Sequence, residues 1–359
     1  MSQTAQLMKG NEAMAEAAIR AGCRFFAGYP ITPQTEILEY LSWRMPEVGG
    51  TFVQTESELA GINMVHGAAA TGARTLTSSS GPGFSLKQET ISYLAAAELP
   101  AVIVDVMRLG IGLGNITLGQ GDYFQAVKGG GHGGYHLPVF APASVQEGVD
   151  LMVRAFEVAD RHRTPVLILS DGAIGQMAEA VTLPDYHEHD PDQFDWALKG
   201  KGSRESTGHQ MTGRNYTDFT AEEYGPHLLK RYAAMYEREQ LWEEVCCEDA
   251  DVILVSFGIS SRVCKAAVRL AREKGRKVGL IRAVSLWPFP VKAMKKYNGV
   301  IRGYLVVEMN VTGQMVEDVR LNAGPTPVYG YPTGRFVAGE AGVLDMIEQL
   351  YAGKLKEEN

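Results

Sequence analysis

Val53-Gln-Thr-Glu-Ser-Glu-Leu-Ala-Gly-Ile-Asn-Met-Val-His-Gly-Ala68 is the stretch around which the rest of the chain can be read. Val53 and its neighbours read as the end of a buried strand. Two carboxylates follow, Glu56 and Glu58, and then a helix of small residues from Leu59 to Ala70. Acids at a helix start complement its dipole, so the pair alone carries little meaning. The setting carries more. Gly61, Gly67 and the alanines let another backbone or a ligand come close. A carboxylate in so apolar a pocket is expected to have a raised pKa and to stay protonated near neutrality, in a form an enzyme can use. At this level Glu56 and Glu58 are interchangeable.

Working outward, the same strand–turn–helix grammar repeats. Lys9 to Gly22 reads as an Ala-rich helix with Asn11 as N-cap and Gly22 as its stop. Arg24 to Gly28 is a short strand, and Tyr29-Pro-Ile-Thr-Pro33 is a turn whose prolines bar a continued ladder. Gln34 to Trp43 returns to helical periodicity, which puts Thr32 at a helix N-terminus, as a cap or as part of an anion site. Downstream, Arg74 to Ser79 is β-rich and opens into Ser80-Gly-Pro-Gly-Phe84, leading to a helix from Leu86 to Leu94. That loop lacks G-x-x-x-x-G-K-[ST], so it is not a P-loop. Ala101 to Met107 is nearly all apolar, as expected of a parallel strand covered on both faces. It delivers Arg108 at the end where open parallel sheets bind ligands. An Arg there pairs with a ligand carboxylate or makes a structural ion pair, and spacing does not choose.

Leu109 to Tyr135 is dense in glycine, with Lys128 and His132 interleaved, and reads as a long loop of the kind that is functional or disordered. Val139–Pro142 and Pro165–Ser170 read as strands flanking an amphipathic helix from Val145 to Arg161. From Leu183 the composition turns polar. His187, His189 and Asp190 sit in a Pro-flanked segment that reads as a solvated linker rather than a metal site, and Leu228 to Cys246 as a long charged helix. A second α/β unit follows, with strands at Asp251–Phe257, Val278–Arg282, Gly303–Glu308 and Val328–Tyr331. The expected organisation is an α/β domain over 1–182, a linker or insertion with a long helix over 183–246, and a smaller α/β domain over 247–359.

Composition sets the outer bounds. The 359 residues carry a formal charge of −8 with no basic block, which argues against nucleic-acid binding. Four cysteines, Cys23, Cys246, Cys247 and Cys264, form no C-x-x-C and read as reduced thiols in a cytoplasmic protein. No signal peptide, no membrane span of ~18 apolar residues and no metal site on this chain is expected.

Five segments together carry a family resemblance: Tyr29-Pro-Ile-Thr-Pro33, Glu58 with Val65-His-Gly-Ala68, Ser79-Ser-Gly-Pro-Gly-Phe-Ser85, Arg108, and Gly131-His-Gly133. Their order resembles the α subunit of 2-oxoacid:ferredoxin oxidoreductases of the branched-chain (2-oxoisovalerate) or 2-oxoglutarate type. The resemblance implies a thiamine diphosphate pyrimidine-binding domain, a parallel sheet with helices on both faces, followed by a transketolase C-terminal-like α/β domain. It implies that Glu58 hydrogen-bonds N1′ of the cofactor's aminopyrimidine, with Tyr29, Pro30, Ile31, Ser80 and Gly81 beside the cofactor. Thr32 and Arg108 are then expected to hold the substrate carboxylate. Leu109 and Ile111 are candidates for an apolar substrate pocket, and Lys128 and His132 for cations near a distal carboxylate.

The chain has neither the G-D-G diphosphate motif nor a cluster-type cysteine set. The resemblance therefore assigns the diphosphate, Mg²⁺ and a [4Fe–4S] cluster to a β subunit. It adds a γ subunit and a ferredoxin-like subunit, coenzyme A as co-substrate and ferredoxin as electron acceptor. Two other readings stand beside it. One is a non-catalytic assembly or regulatory subunit, against which Glu58, Thr32 and Arg108 argue by being present together. The other is a different thiamine-dependent transferase of transketolase or acetolactate type.

Overall fold

The computed structural model describes residues 5–200 and 221–357. Part of the polar linker expected over 183–246, residues 201–220, lies outside the described residues, as does the extreme N-terminus. The chain builds two parallel sheets with helices on both faces. The first runs in the order Ser285–Trp287, Val139–Phe140, Pro165–Asp171, Ala101–Leu109, Thr75–Ser79, Phe25–Gly28, Thr51–Gln54. Along this order the pairings are parallel except that of Ser285–Trp287, which runs antiparallel to Val139–Phe140; off the path, Asn115–Leu118 adds an antiparallel pairing to Ala101–Leu109. The second runs Trp242–Val245, Val278–Ala283, Val252–Ser256, Gly303–Glu308, Val328–Pro332, parallel but for its first strand.

Ala101–Leu109 lies at the centre of the first sheet and is buried through Arg108, which accounts for its unbroken apolar run. The helix Val145–His162 covers one face; the Ser144 hydroxyl accepts the Glu147 N–H at 3.1 Å and caps it. The strand ending near Val53 is not buried as expected. Thr51–Gln54 is the edge of the sheet, and its side chains are half-buried or exposed.

Several local expectations shift for identifiable reasons. Asn11 is no N-cap. It lies inside the helix Gly10–Arg20, fully buried, and its amide donates to the Pro33 carbonyl at 2.7 Å and to Glu36 at 2.9 Å. The long charged helix is Ala221–Arg238, and Trp242–Val245 is already a strand of the second sheet, so the boundary placed at 246 falls inside that sheet's elements. The glycine-dense stretch after Arg108 is not one loop. It holds the strand Asn115–Leu118, which folds back on Arg108–Leu109, and the helix Tyr123–Val127.

The two domains are bound by polar groups that periodicity does not reveal. The buried Gln120 amide donates to the Phe257 carbonyl at 3.1 Å and accepts from the Ser260 hydroxyl and the Met309 N–H at 3.0 and 2.9 Å. Arg282 clasps Glu147 through two bonds of 2.8 and 2.7 Å. No helix among the described residues is long and apolar enough to cross a membrane.

Candidate active site

Glu58 opens the helix Glu58–Ala69, whose first turn is capped by Ser57 accepting the Ala60 N–H at 3.2 Å. Glu56 is exposed, whereas Glu58 is buried, so the fold separates two acids that are equivalent in sequence. Gly61 lets this helix settle on Gly28: a Cβ there would lie 3.2 Å from the Gly28 Cα. The Tyr29–Pro33 turn therefore begins beside Glu58. Gly83, in the first turn of the helix Pro82–Ala96, approaches the carboxylate still more closely. A Cβ on it would lie 2.5 Å from Glu58 Oε1 and 2.4 Å from Ser79 Oγ, so the helix start tolerates only glycine at that position.

The pocket is not simply apolar. Lys87, on the helix Pro82–Ala96, is fully buried behind Glu58. Its ammonium donates to the Glu58 carbonyl at 3.1 Å and to Thr77 Oγ1 at 3.0 Å. Burial drives Lys87 down from its ordinary 10.5 to about 7, with the Glu58 charge opposing the shift. Sequence reading passed over Lys87, yet its spacing from Gly83 was a usable signal: residues four apart share a helix face.

Arg108 lies at the end of the central strand, 8% exposed. Its Nη1 donates to the Thr32 carbonyl at 2.9 Å and its Nη2 to the Leu113 carbonyl at 2.6 Å, while its buried Nε has no acceptor among the described residues. Gly81, with φ +45°, lies under the guanidinium; a Cβ there would be 3.6 Å from Nε. Thr32 does not cap the following helix. That helix, Thr35–Glu47, starts after Gln34, and Thr32 is exposed beside Arg108. Gln34, unremarked in sequence, anchors the turn: its buried amide donates to the Tyr29 carbonyl at 3.1 Å and accepts from Ser78 Oγ at 2.6 Å. Tyr29 is 37% exposed, and Pro30 and Ile31 are half-buried on the same turn.

Two cavities adjoin along the backbone that follows Arg108. One, of about 150 Å³, is walled by Gly81, Pro82, Ser85, Arg108, Asp122 and Gln125. The other, about 460 Å³, lies between the domains against Ile111, Asn115, Asn310, Val311 and Thr312. Leu109, Gly110 and Gly114 belong to both walls. Ser80 is buried, and the hydroxyls of Ser79 and Ser80 have no hydrogen-bond partner among the described residues. The structure does not bring Lys128 and His132 to these cavities. Lys128 is ion-paired with Asp318 of the second domain. His132 meets the edge of Tyr93 and lines a separate pocket with Tyr135 and Tyr232. His189, from the linker, bonds the Gly72 carbonyl at 2.8 Å, and its ring packs on Phe194.

A buried carboxylate, two orphaned hydroxyls and a glycine-lined approach fit a heteroaromatic group that offers both donors and acceptors. Comparisons with known proteins agree with that chemistry. Residues 16–238 match the family described as pyruvate flavodoxin/ferredoxin oxidoreductase, thiamine diphosphate-binding, and residues 250–350 match pyruvate:ferredoxin oxidoreductase core domain II. The chain belongs to the 2-oxoacid:ferredoxin oxidoreductase family. By that membership it is an oxidoreductase subunit that works with thiamine diphosphate on 2-oxoacids.

Among its relatives, ketoisovalerate oxidoreductase subunit VorB of Methanothermobacter marburgensis is 52% identical over 321 residues, covering 89% of this chain and 90% of that protein. The 2-oxoglutarate synthase subunit KorA of the same organism is 39% identical over 338 residues, covering 87% and 90%. A solved 2-oxoglutarate:ferredoxin oxidoreductase from Magnetococcus marinus, with 2-oxoglutarate, coenzyme A and succinyl-CoA bound, superposes with a TM-score of 0.82 at 25% identity. The match covers 97% of this chain, which spans 65% of that longer one. A split-gene transketolase shares the fold at a TM-score of 0.56 and 13% identity.

Proposed function

We propose that this chain is the catalytic α-type subunit of a branched-chain 2-oxoacid:ferredoxin oxidoreductase, converting a substrate such as 3-methyl-2-oxobutanoate to acyl-CoA and CO₂, or running the reverse. The observation that carries the substrate choice is the wall of the paired cavities. Arg108 is the cation of the smaller one, and the larger is lined by Leu109, Ile111 and Val311 with no cation among its described residues. One guanidinium serves one carboxylate. A second, distal carboxylate, as in 2-oxoglutarate, would find aliphatic carbons, neutral amides and the Thr312 hydroxyl in the larger cavity, and no charge to balance it. The 52% identity to a ketoisovalerate oxidoreductase subunit supports the same choice.

Thiamine diphosphate, when bound, supplies the electron sink for cleavage of the bond between the substrate carboxylate and carbonyl carbons. The residues here do the rest on their side. Glu58 would hold a proton at the aminopyrimidine N1′, with Lys87 fixing the first turn of its helix from behind. Ser79 and Ser80 offer hydroxyls to the same ring. Arg108 and Thr32 would orient the 2-oxoacid carboxylate, and the domain-interface cavity would enclose its branched side chain away from water. The diphosphate, Mg²⁺ and the [4Fe–4S] cluster belong to a β subunit, with γ and ferredoxin-like subunits completing the path to ferredoxin.

The test is co-expression with the partner subunits, followed by a panel of 2-oxoacids with coenzyme A and a viologen acceptor. Preference for 3-methyl-2-oxobutanoate over 2-oxoglutarate by about tenfold or more in kcat/KM is expected. The opposite preference would refute the substrate assignment.

A further inference from the structure

The two cavities that adjoin after Arg108 are parted by backbone. Leu109, Gly110 and Gly114 belong to both walls, while Gly112 lines only the smaller cavity and Ile111 only the larger. These residues form the tip of a hairpin. Its legs are the end of Ala101–Leu109 and the strand Asn115–Leu118, paired antiparallel through Leu109 and Asn115. At the base of the tip the legs press together: a Cβ on Gly110 would lie 2.7 Å from the Gly114 Cα, and one on Gly114 would lie 2.6 Å from the Leu109 carbonyl oxygen. Beyond that point the tip buries almost nothing. Ile111 is 99% and Leu113 80% exposed, and a Cβ on Gly112 would meet no atom within 4 Å. Inside the tip, the Gly114 N–H bonds the Ile111 carbonyl at 3.1 Å. Arg108 grips it from the sheet: Nη2 donates to the Leu113 carbonyl at 2.6 Å, while Nη1 holds the Thr32 carbonyl of the Tyr29–Pro33 turn at 2.9 Å.

This arrangement does not admit the substrate as it stands. In a 2-oxoacid only the 2-oxo carbon separates the carboxylate from the first side-chain carbon, and a polypeptide backbone does not fit between them. A molecule with its carboxylate on Arg108 and its side chain in the larger cavity therefore displaces the tip. Its carboxylate also competes for the grip. Both two-pronged edges of a guanidinium, Nε–Nη2 and Nη1–Nη2, include Nη2, the nitrogen that holds Leu113. We propose that the hairpin tip 110–114 is a gate latched by Arg108: the incoming carboxylate takes Nη2 from the Leu113 carbonyl, the tip swings away on Gly110 and Gly114, and the two cavities become one substrate pocket. The step exchanges hydrogen bonds and changes no covalent bond. The proposal rests on the reading of Arg108 as the holder of the substrate carboxylate and of the larger cavity as its side-chain pocket.

The gate bears on selection. A carboxylate without a side chain spends the Arg108–Leu113 bond and leaves the larger cavity unfilled. A branched aliphatic chain packs against the cavity's apolar wall, and that burial offsets the broken bond. The latched tip also lowers affinity by the fraction of molecules in which it is shut, so loosening the tip should tighten binding.

The experiment uses the complex assembled with its partner subunits and loaded with cofactor, without coenzyme A. The probe is 3-methylbutanoate, which has the carbon skeleton of 3-methyl-2-oxobutanoate but no 2-oxo group to react. Structures of the complex with and without the probe, by crystallography or electron cryo-microscopy, read the latch directly. The expected result is a probe carboxylate on Arg108, the Leu113 carbonyl out of reach of Nη2, and residues 110–114 displaced. A probe seated on Arg108 beside an unmoved tip refutes the gate alone. A probe seated away from Arg108 refutes the reading of the site, and the gate with it. Gly112→Ala supplies an independent measurement. Its methyl touches nothing, but φ there is +62°, which strains any L-residue and so weakens the latched tip. Calorimetric titration should show this variant binding 3-methylbutanoate about fivefold more tightly than the wild type, a gain that structural damage would not give. Equal or weaker binding overturns the gate.

Discussion

The two sheets treat the carboxylates at the ends of their interior strands in opposite ways. In the second domain, Gly303–Glu308 delivers Glu308, buried and almost inaccessible. Its carboxylate accepts from the N–H groups of Gln314, Met315 and Val316 at 3.0, 2.9 and 3.2 Å and from the Asn310 amide at 2.6 Å. Both oxygens are hydrogen-bonded, and the donors include the start of the helix Met315–Asn322. In the first domain the corresponding edge holds the buried Glu58 beside Ser79, Ser80, Asp105 and Arg108, and each of these last four has a buried side-chain atom without a hydrogen-bond partner among the described residues. Burial costs are similar, but only one edge recovers them internally. The difference distinguishes a structural carboxylate from a site that awaits ligands.

Substitutions can test that contrast. The largest effect is expected for Glu58→Gln: turnover of the assembled complex should fall by about 10²–10⁴-fold while the subunits still associate. Near-normal turnover would return Glu58 to the structural class. Glu308→Ala should do the reverse. It strands the N–H groups of the helix start and costs about 3 kcal/mol of stability, read by denaturant titration, with turnover per assembled complex retained. Arg108→Lys keeps the charge but loses the fork that spans the Thr32 and Leu113 carbonyls. Its KM for the 2-oxoacid should rise about 10–100-fold, with a smaller change in kcat.

Lys87→Met gives the smallest and most specific signal. The folded value near 7 lies below the unfolded 10.5, so between these the unfolded chain holds a proton that the native state does not. Wild-type stability therefore rises with pH through that window and is lost as pH falls toward 7. The methionine variant lacks this slope. Thermal melts at pH near 7 and 9 should show the wild type gaining on it by about 1 kcal/mol per pH unit. Parallel melts would mean that Lys87 is not held near neutrality.

Much of this site was legible because its signals are local. Glycine at 61, 81 and 83, the prolines at 30 and 33, and an apolar run ending in Arg108 each constrain a few neighbouring residues. Lys87 and Gln34 were not legible, since a lysine or glutamine in a helix normally faces water, and only the stacking of three elements buries them. Lys128 and His132 failed for the converse reason. Their place in a glycine-rich stretch suggested proximity to substrate, but the strand Asn115–Leu118 and the helix Tyr123–Val127 carry them elsewhere.

Sequence alone determined the alternation of strand and helix, the family, and the identity of Glu58, Thr32 and Arg108 as the residues to watch. Periodicity and special backbone residues act over one or two turns of chain, and that range suffices for such assignments. Tertiary structure decided what touches them. It parted Glu58 from Glu56 and set Lys87 behind Glu58. It also closed the larger cavity with Val311, some two hundred residues from Ile111 on the opposite wall. Desolvation depends on groups brought together from distant segments, so no local pattern encodes it.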